Sequence, residues 1–468
     1  MKKLIILFFC CFAFSVHALA AQTKPGGVIV KKSAATKNKP AAQPVLPEIK
    51  PVPFHIPQVQ RVVTDSSIEA WLIEEKSTPA IAVSVLFKGG KASDPKRLTG
   101  LSSLAMSLMD EGSGPYSAEK FSEILAEKAI ALSFGATSDT LHASLETLRK
   151  NKEEAFDLFR LALTSPRFDR KAVRRMKEQM YAGIEARKGN PNAVAGERWA
   201  RLVYGDHPYG HMIPTKQSVR AITRANLRSL IRDRIARDNM IIGVAGNISA
   251  EELKPLLEKT FAGLPKKSRI KEVPPFTPEL SDRTDVLSMD VPQSAVLFGH
   301  KGIARNDPDF YAAVLVNYSF GGGSFAARLF DEVREKKGLA YSIGTSLNVS
   351  KASPMITGSV GSDNAKLADA IKIIQEQWRE MAQNGPTEQE LKDAKTYITG
   401  SFPLAFTSSG GMSSFLTGMQ YHDLGIDYLQ KYNDMINAVT LKQAKETAGR
   451  LLLPDSLFFV VVGKPANL

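Results

Sequence analysis

Ala80-Ile81-Ala82-Val83-Ser84-Val85-Leu86-Phe87 is an apolar run followed by Gly89-Gly90. A run of this length and β-branched content, stopped by glycine, predicts a buried strand. Ala70-Trp71-Leu72-Ile73-Glu74-Glu75 stands before it, and Asn239-Met240-Ile241-Ile242-Gly243-Val244-Ala245-Gly246 ends the same stretch of chain. The order then recurs: Ser294-Ala295-Val296-Leu297-Phe298-Gly299 opens a second stretch, and Ser456-Leu457-Phe458-Phe459-Val460-Val461-Val462-Gly463 closes it. One unit written twice accounts for the matching order and endings. The expected fold class is α+β, with two similar αβ domains from an internal duplication. Each is a mixed, mostly antiparallel sheet covered by helices on one side.

Between these strands the apolar spacing predicts helices. One spans 117–129, started by Ser117 and turning Phe121, Ile124 and Leu125 inward. Others span 169–188, 366–383 and 387–400, the last entered through Pro386-Thr387-Glu388-Gln389-Glu390. Leu98, Leu101, Leu104, Ala105 and Leu108 form one stripe over 97–109. Gly321-Gly322-Gly323 reads as a tight strand-to-helix turn serving close packing, because no Gly-Lys-Ser/Thr follows to make a phosphate loop. Residues 407–414, with Gly410-Gly411, read as a mobile loop.

The N-terminus has the form of an export signal. Lys2 and Lys3 precede the apolar run Leu4 to Val16, and Ala18-Leu19-Ala20 offers a cleavage site. Cleavage after Ala20 would remove Cys10 and Cys11, leaving an exported protein without disulfides. A periplasmic location is expected. No later stretch reaches the ~18 unbroken apolar residues of a membrane span. Residues 21–53 form an arm rich in Pro, Lys and Ala, and 264–284 form a linker. They set off an N-terminal domain (54–263) from a C-terminal domain (285–468). The net charge is +13; two charges lie in the leader and a net five in the arm, leaving +6. That balance, without a basic stripe interleaved with aromatics, argues against nucleic-acid binding.

Residues 100–107 read Gly-Leu-Ser-Ser-Leu-Ala-Met-Ser. Ser103, Met106 and Ser107 fall at i, i+3 and i+4, on one helix face. Tyr204-Gly205-Asp206-His207-Pro208-Tyr209-Gly210 follows, with Ile222-Thr223 after it. Phe320-Gly321-Gly322-Gly323-Ser324 runs into Arg328-Leu329-Phe330. Last comes Val333-Arg334-Glu335-Lys336-Lys337-Gly338-Leu339-Ala340-Tyr341. These pieces, in this order over residues 60–465, resemble the pitrilysin, insulinase and mitochondrial-processing-peptidase family, the inverted zincins.

The resemblance implies a zinc motif His-x-x-Glu-His at 103–107, where this chain has Ser103-Leu104-Ala105-Met106-Ser107. Two hydroxyls and a thioether are poor ligands for zinc. The family's third ligand would fall at Ile184, beside the carboxylate of Glu185, which alone binds no catalytic zinc. His207 and His211 are spaced i, i+4, but Pro208 and Gly210 break a helix between them. His55, His142, His300 and His422 are scattered singly. No metal is expected in this chain, and no other cofactor. The resemblance also implies that Arg334 and Tyr341 contact a substrate carbonyl as its oxyanion develops, chemistry that suits a guanidinium and a phenol. Gly338 is expected to end the helix carrying Arg334, with Tyr341 beginning the next strand.

The expectation is therefore the non-zinc subunit of a periplasmic heterodimeric zinc metallopeptidase, inactive alone. It would enclose peptide substrates with a homologous zinc-bearing partner subunit and stabilise the transition state in the partner's site. The alternative is a catalytically inactive scaffold or binding protein. Ser103 or Ser107 as a nucleophile is a third reading, without a visible base or a Gly-x-Ser-x-Gly elbow.

Overall fold

The run at 80–87 is the heart of β3 (Ala80–Lys88), near the middle of a six-stranded sheet. Its other strands are β1 (Gln60–Val63), β2 (Glu69–Glu74), β4 (Ala131–Ala136), β5 (Thr140–Leu148) and β6 (Met240–Gly246), in the order β1-β2-β6-β3-β5-β4. A second sheet has five strands: β7 (Arg283–Ser288), β8 (Gln293–Lys301), β9 (Ser342–Asn348), β10 (Met355–Asp363) and β11 (Phe458–Gly463). Their order is β7-β11-β8-β10-β9. The computed structural model describes residues 55–468, so the predicted leader and arm lie outside it. Ile56–Leu468 make one compact unit.

The sheets repeat one another strand for strand. β2 pairs β6 in parallel as β7 pairs β11, and the three remaining pairings of each set are antiparallel. β1 is the one addition. Both closing strands end at a glycine with positive φ, Gly246 (127°) and Gly463 (159°). A Cβ there would strike the Ala80 carbonyl or Ser294. β7 begins inside the segment read as linker.

Each sheet turns one face to its own helices. Ile81, Val83, Val85 and Phe87 alternate into a core shared with Leu141, Ala143, Leu145 and helical residues such as Phe121 and Phe156. Val296, Phe298, Phe459 and Val461 do the same against Ile374 and Trp378. The other face is covered by exchange. Helix Pro191–Tyr204, from the first half, lays Trp199 and Val203 on Phe458 and Val460 of the second sheet. The rings of Trp199 and Phe458 stack at 5.8 Å. Helix Ser409–Tyr421, from the second half, lays Met412, Leu416 and Met419 on Ile73 and Ala245 of the first. A Cβ on Gly243 would lie 2.3 Å from the Ser413 carbonyl, so only glycine admits that crossing.

Several helices sit where the spacing placed them. Ser117 caps Ala118–Glu127 by accepting the Lys120 N–H. Arg170–Lys188, Leu367–Asn384 and Glu388–Ser401 follow, the last opened by a Thr387/Glu390 capping box. Three readings are corrected. The helix over 97–109 is only Leu101–Met106, because Gly100 is left-handed (φ 97°) and Ser107 already caps the end. The glycines 321–323 follow a helix, Phe310–Asn317, which widens into a π-type turn at Tyr318–Gly322. Their bareness serves close packing, since a Cβ on Gly321 would lie 2.5 Å from Thr345 Oγ1. Residues 409–414 are helical, with Ser408 accepting the Gly411 N–H at 3.1 Å.

His300 is wholly buried on β8. Its Nε2 accepts from Trp378 Nε1 and Leu453 N, both at 3.1 Å, so Nδ1 donates to the Lys301 carbonyl at 2.7 Å. Burial lowers its pKa to about 4. The unfolded chain therefore takes up the proton first as pH falls. The stability held by neutral His300 is complete above ~6.5 and is lost on the way to 4, on the order of 3 kcal/mol in all. Urea midpoints should fall over that range, and less steeply in His300→Asn; equal slopes would assign the loss elsewhere.

Candidate functional site

Ser103, Met106 and Ser107 lie on the short Leu101–Met106 helix and its cap, but they do not share one environment. Met106 is 1% exposed and belongs to the core of the first half, while the two serines are half-buried. Ser107 Oγ donates to the Leu104 carbonyl at 3.1 Å. The helix is held from behind by a buried ion pair, Arg234 Nη1 to Asp94 Oδ1 at 3.0 Å, whose side chains are 8% and 2% exposed. Ser102 donates its Oγ–H to Asp94 at 2.5 Å and accepts from Arg234 at 2.7 Å. Burial pushes the Asp94 carboxyl above its usual range, and Arg234 and Ser102 pull against that.

Glu185 is an exposed charge on Arg170–Lys188. It pairs with Lys188 at 2.9 Å and with Lys216 at 2.7 Å, and these bonds hold its carboxyl below the usual range. His207 is nearly buried, with Nε2 2.9 Å from the Pro274 carbonyl and Nδ1 accepting the Tyr209 N–H. Its ring stacks on Phe276 at 4.9 Å. His211 stands 3.5 Å from Asp206. His55 is exposed; His142 lies beside Gly135 in the β4–β5 pair, and burial lowers the pKa of His422 to about 4. Among the described residues no three His, Cys, Asp or Glu side chains group closely enough to hold a metal ion.

Arg334 and Tyr341 occupy the exposed end of the second half. Arg334 sits on a π-type turn, Phe330–Glu335, and Tyr341 immediately precedes β9. Gly338 (φ 58°) reverses the chain between them. The Arg334 guanidinium lies 4.8 Å from the Phe330 ring and 5.9 Å from Phe325, and its nearest carboxylate is Glu335 at 3.9 Å. Such a cation keeps most of its donors for an incoming acceptor. Tyr341 is 54% exposed and its hydroxyl lies 3.0 Å from both oxygens of Asp363. That bond raises the phenol's pKa, so Tyr341 stays a neutral donor. Neither a hydrogen bond nor a cation–π contact joins Arg334 to Tyr341. A cleft of about 360 Å³ is lined by Leu297, Gly321, Ser324, Ile343 and Ser346 among others, with neither Arg334 nor Tyr341 in its wall.

The Asp94–Arg234–Ser102 cluster and Asp363 are neighbours of the candidate residues that the sequence did not mark. Their residues are 140 and 22 positions apart from their partners, and no local spacing signals such pairs.

Residues 70–214 match the family model described as insulinase (peptidase family M16), and residues 221–398 match that described as the peptidase M16 inactive domain. The chain is 24% identical over 392 residues to a protein of Helicobacter pylori named non-peptidase homolog YmxG, covering 83% of this chain and 90% of that one. It is 23% identical over 406 residues to an uncharacterized zinc protease, also named YmxG, of Bacillus subtilis, covering 85% and 96%. A solved structure described as a peptidase M16 inactive domain, from Pseudomonas fluorescens, superposes with a TM-score of 0.82 at 27% identity. It covers 87% of this chain and 98% of its own.

Proposed function

From its membership of the M16 insulinase family of peptidases, we infer that this chain is the non-zinc subunit of a two-chain metallopeptidase. It has the family's scaffold with Ser103, Met106 and Ser107 at the positions of the metal motif. One observation carries the reading: Tyr341 is exposed and Arg334 half-exposed, although among the described residues no group could hold a metal for them to serve. Donors of this kind supply neither nucleophile nor base, so they are useful only beside another chain's activated water. The leader sequence supports a periplasmic location for that assembly.

The test is reconstitution. The mature chain alone is expected to show no peptidase activity, and activity is expected when a zinc-bearing relative encoded in the same genome is added. Hydrolysis by the chain alone, inhibited by no chelator, would point to a different chemistry. Co-purified partners without any peptidase would favour the scaffold reading, to which the name of the Helicobacter relative lends support.

A further inference from the structure

Charge is unevenly placed along the chain. Residues 167–178 and 216–232 carry eleven basic side chains against two acidic ones, a net +9, whereas 54–468 as a whole carries +6, leaving −3 for the rest. The two segments are the start of the Arg170–Lys188 helix and the helices Lys216–Ala221 and Arg224–Arg234. Bonds to main chain hold them side by side. Arg224 Nε donates to the Phe168 carbonyl at 2.6 Å, and its Nη2 to the Arg167 carbonyl at 3.4 Å. Lys177 Nζ donates to the carbonyls of Ile222 at 2.6 Å and Arg220 at 3.2 Å. Residues 168–177 thus run along the turn 220–224. Arg170 and Arg174 share the helix face of Lys177, seven and three residues before it, and Arg228 stands one turn beyond Arg224. Arg170, Arg174, Arg220 and Arg228 are exposed, and Arg224 is half-buried.

Other cations of the region are paired: Arg167 with Asp169 at 2.8 Å, Lys171 with Glu119 at 3.8 Å, Arg175 with Glu111, and Lys216 with Glu185 at 2.7 Å. Among the described residues, no carboxylate lies within ion-pair distance of the five arginines on the shared face. Glu178, one turn beyond Arg174, is the one acid of the two segments besides Asp169. The exposed guanidinium groups keep their donors for an acceptor from outside, and their planar forks match phosphate oxygens.

The makeup of the face narrows the occupant. Neither segment exposes a large apolar side chain. A protein partner is held by buried aromatic or aliphatic anchors, and a single nucleic-acid strand by aromatic stacking platforms. This face offers neither. Among the described residues no helix is long and apolar enough to cross a membrane, and the face has no wedge to insert into one. Charge is what it has to offer, and that suits a dense, laterally mobile array of anions.

We propose that Arg170, Arg174, Arg220, Arg224 and Arg228 form a docking surface for an anionic phospholipid membrane. The chain lies on the bilayer surface with these guanidinium groups among the phosphates of the headgroups. The attachment uses neither Arg334 nor Tyr341, so it stands or falls apart from the two-chain reading.

The test is co-sedimentation of the mature chain with vesicles of equal parts phosphatidylglycerol and phosphatidylcholine, and with vesicles of phosphatidylcholine alone. Binding is expected with the anionic vesicles only, and it should fall away in about 0.5 M salt. Arg170→Gln, Arg174→Gln, Arg220→Gln and Arg228→Gln combined should raise the lipid concentration for half-binding about 100-fold. Arg224 is kept because its bonds to residues 167 and 168 hold the face together. Circular dichroism melts check that the variant folds, and Arg174→Gln with Arg228→Gln serves if the fourfold change does not. Lys76, Lys431, Lys442 and Lys464 are exposed cations elsewhere; changing those four to Gln removes the same charge and should cost far less. Full binding by the arginine variant would put the attachment on the basic arm at 21–53 and overturn the proposal. Equal loss in the two fourfold variants, or equal binding to both kinds of vesicle, would overturn it as well. So would failure to bind vesicles; capture of soluble polyglutamate in that case would make an acidic protein the occupant.

Discussion

Replacing Arg334 with Ala in the reconstituted two-chain enzyme is expected to lower kcat by about 10²–10³-fold, as loss of one oxyanion donor does elsewhere. The guanidinium has no close carboxylate to satisfy it, only Glu335 at 3.9 Å and the rings of Phe330 and Phe325. It is therefore available to a charge that exists only in the transition state, and KM should change little. Tyr341→Phe should cost less, because the hydroxyl must first give up Asp363. Steady-state kinetics on one peptide substrate decide the matter. A variant with a full rate, or one altered only in KM, would place Arg334 outside the chemistry.

Arg234→Met is expected to destabilise the isolated chain by about 3–5 kcal/mol, the range for removing one partner of a buried ion pair. Arg234 Nη1 donates to Asp94, to the Gly90 carbonyl at 3.1 Å and to Ser102; Nη2 donates to the Ser93 carbonyl at 2.8 Å. Without it, a 2% exposed carboxylate loses its counter-charge and the carbonyls of Gly89, Gly90 and Ser93 lose a donor. Adding Asp94→Asn should recover part of the loss, because the stranded charge is then gone. Urea denaturation of the two single variants and the double variant closes that cycle. Losses that simply add would mean that the pair is not coupled.

The strands were legible because both faces of β3, β6, β8 and β11 are covered, and strands buried on both sides read as continuous apolar runs. What covers the second face was not legible. Trp199 on Phe458, and Leu416 above Gly243, join residues separated by most of the chain, and no local periodicity encodes such a meeting. The errors share a cause. Gly100 and Gly410 read as ordinary helix and loop, whereas each is fitted to a particular neighbour across space, Pro214 and Glu146. At the sites, Glu185 is an exposed charge paired with Lys188 and Lys216.

The exchanged helices bear on why a first half without a metal motif persists at all. Deleting it would strip the cover from Phe458 and Val460 and expose the apolar back of the sheet that leads to Arg334 and Tyr341. Deleting the second half would bare Ile73 and Ala245 in the same way. The two halves are thus each other's chaperone. A chain cut within 264–282 should remain a tight non-covalent pair, while either fragment made alone should aggregate. Selection on any function of the second half is then enough to retain the first as its cover.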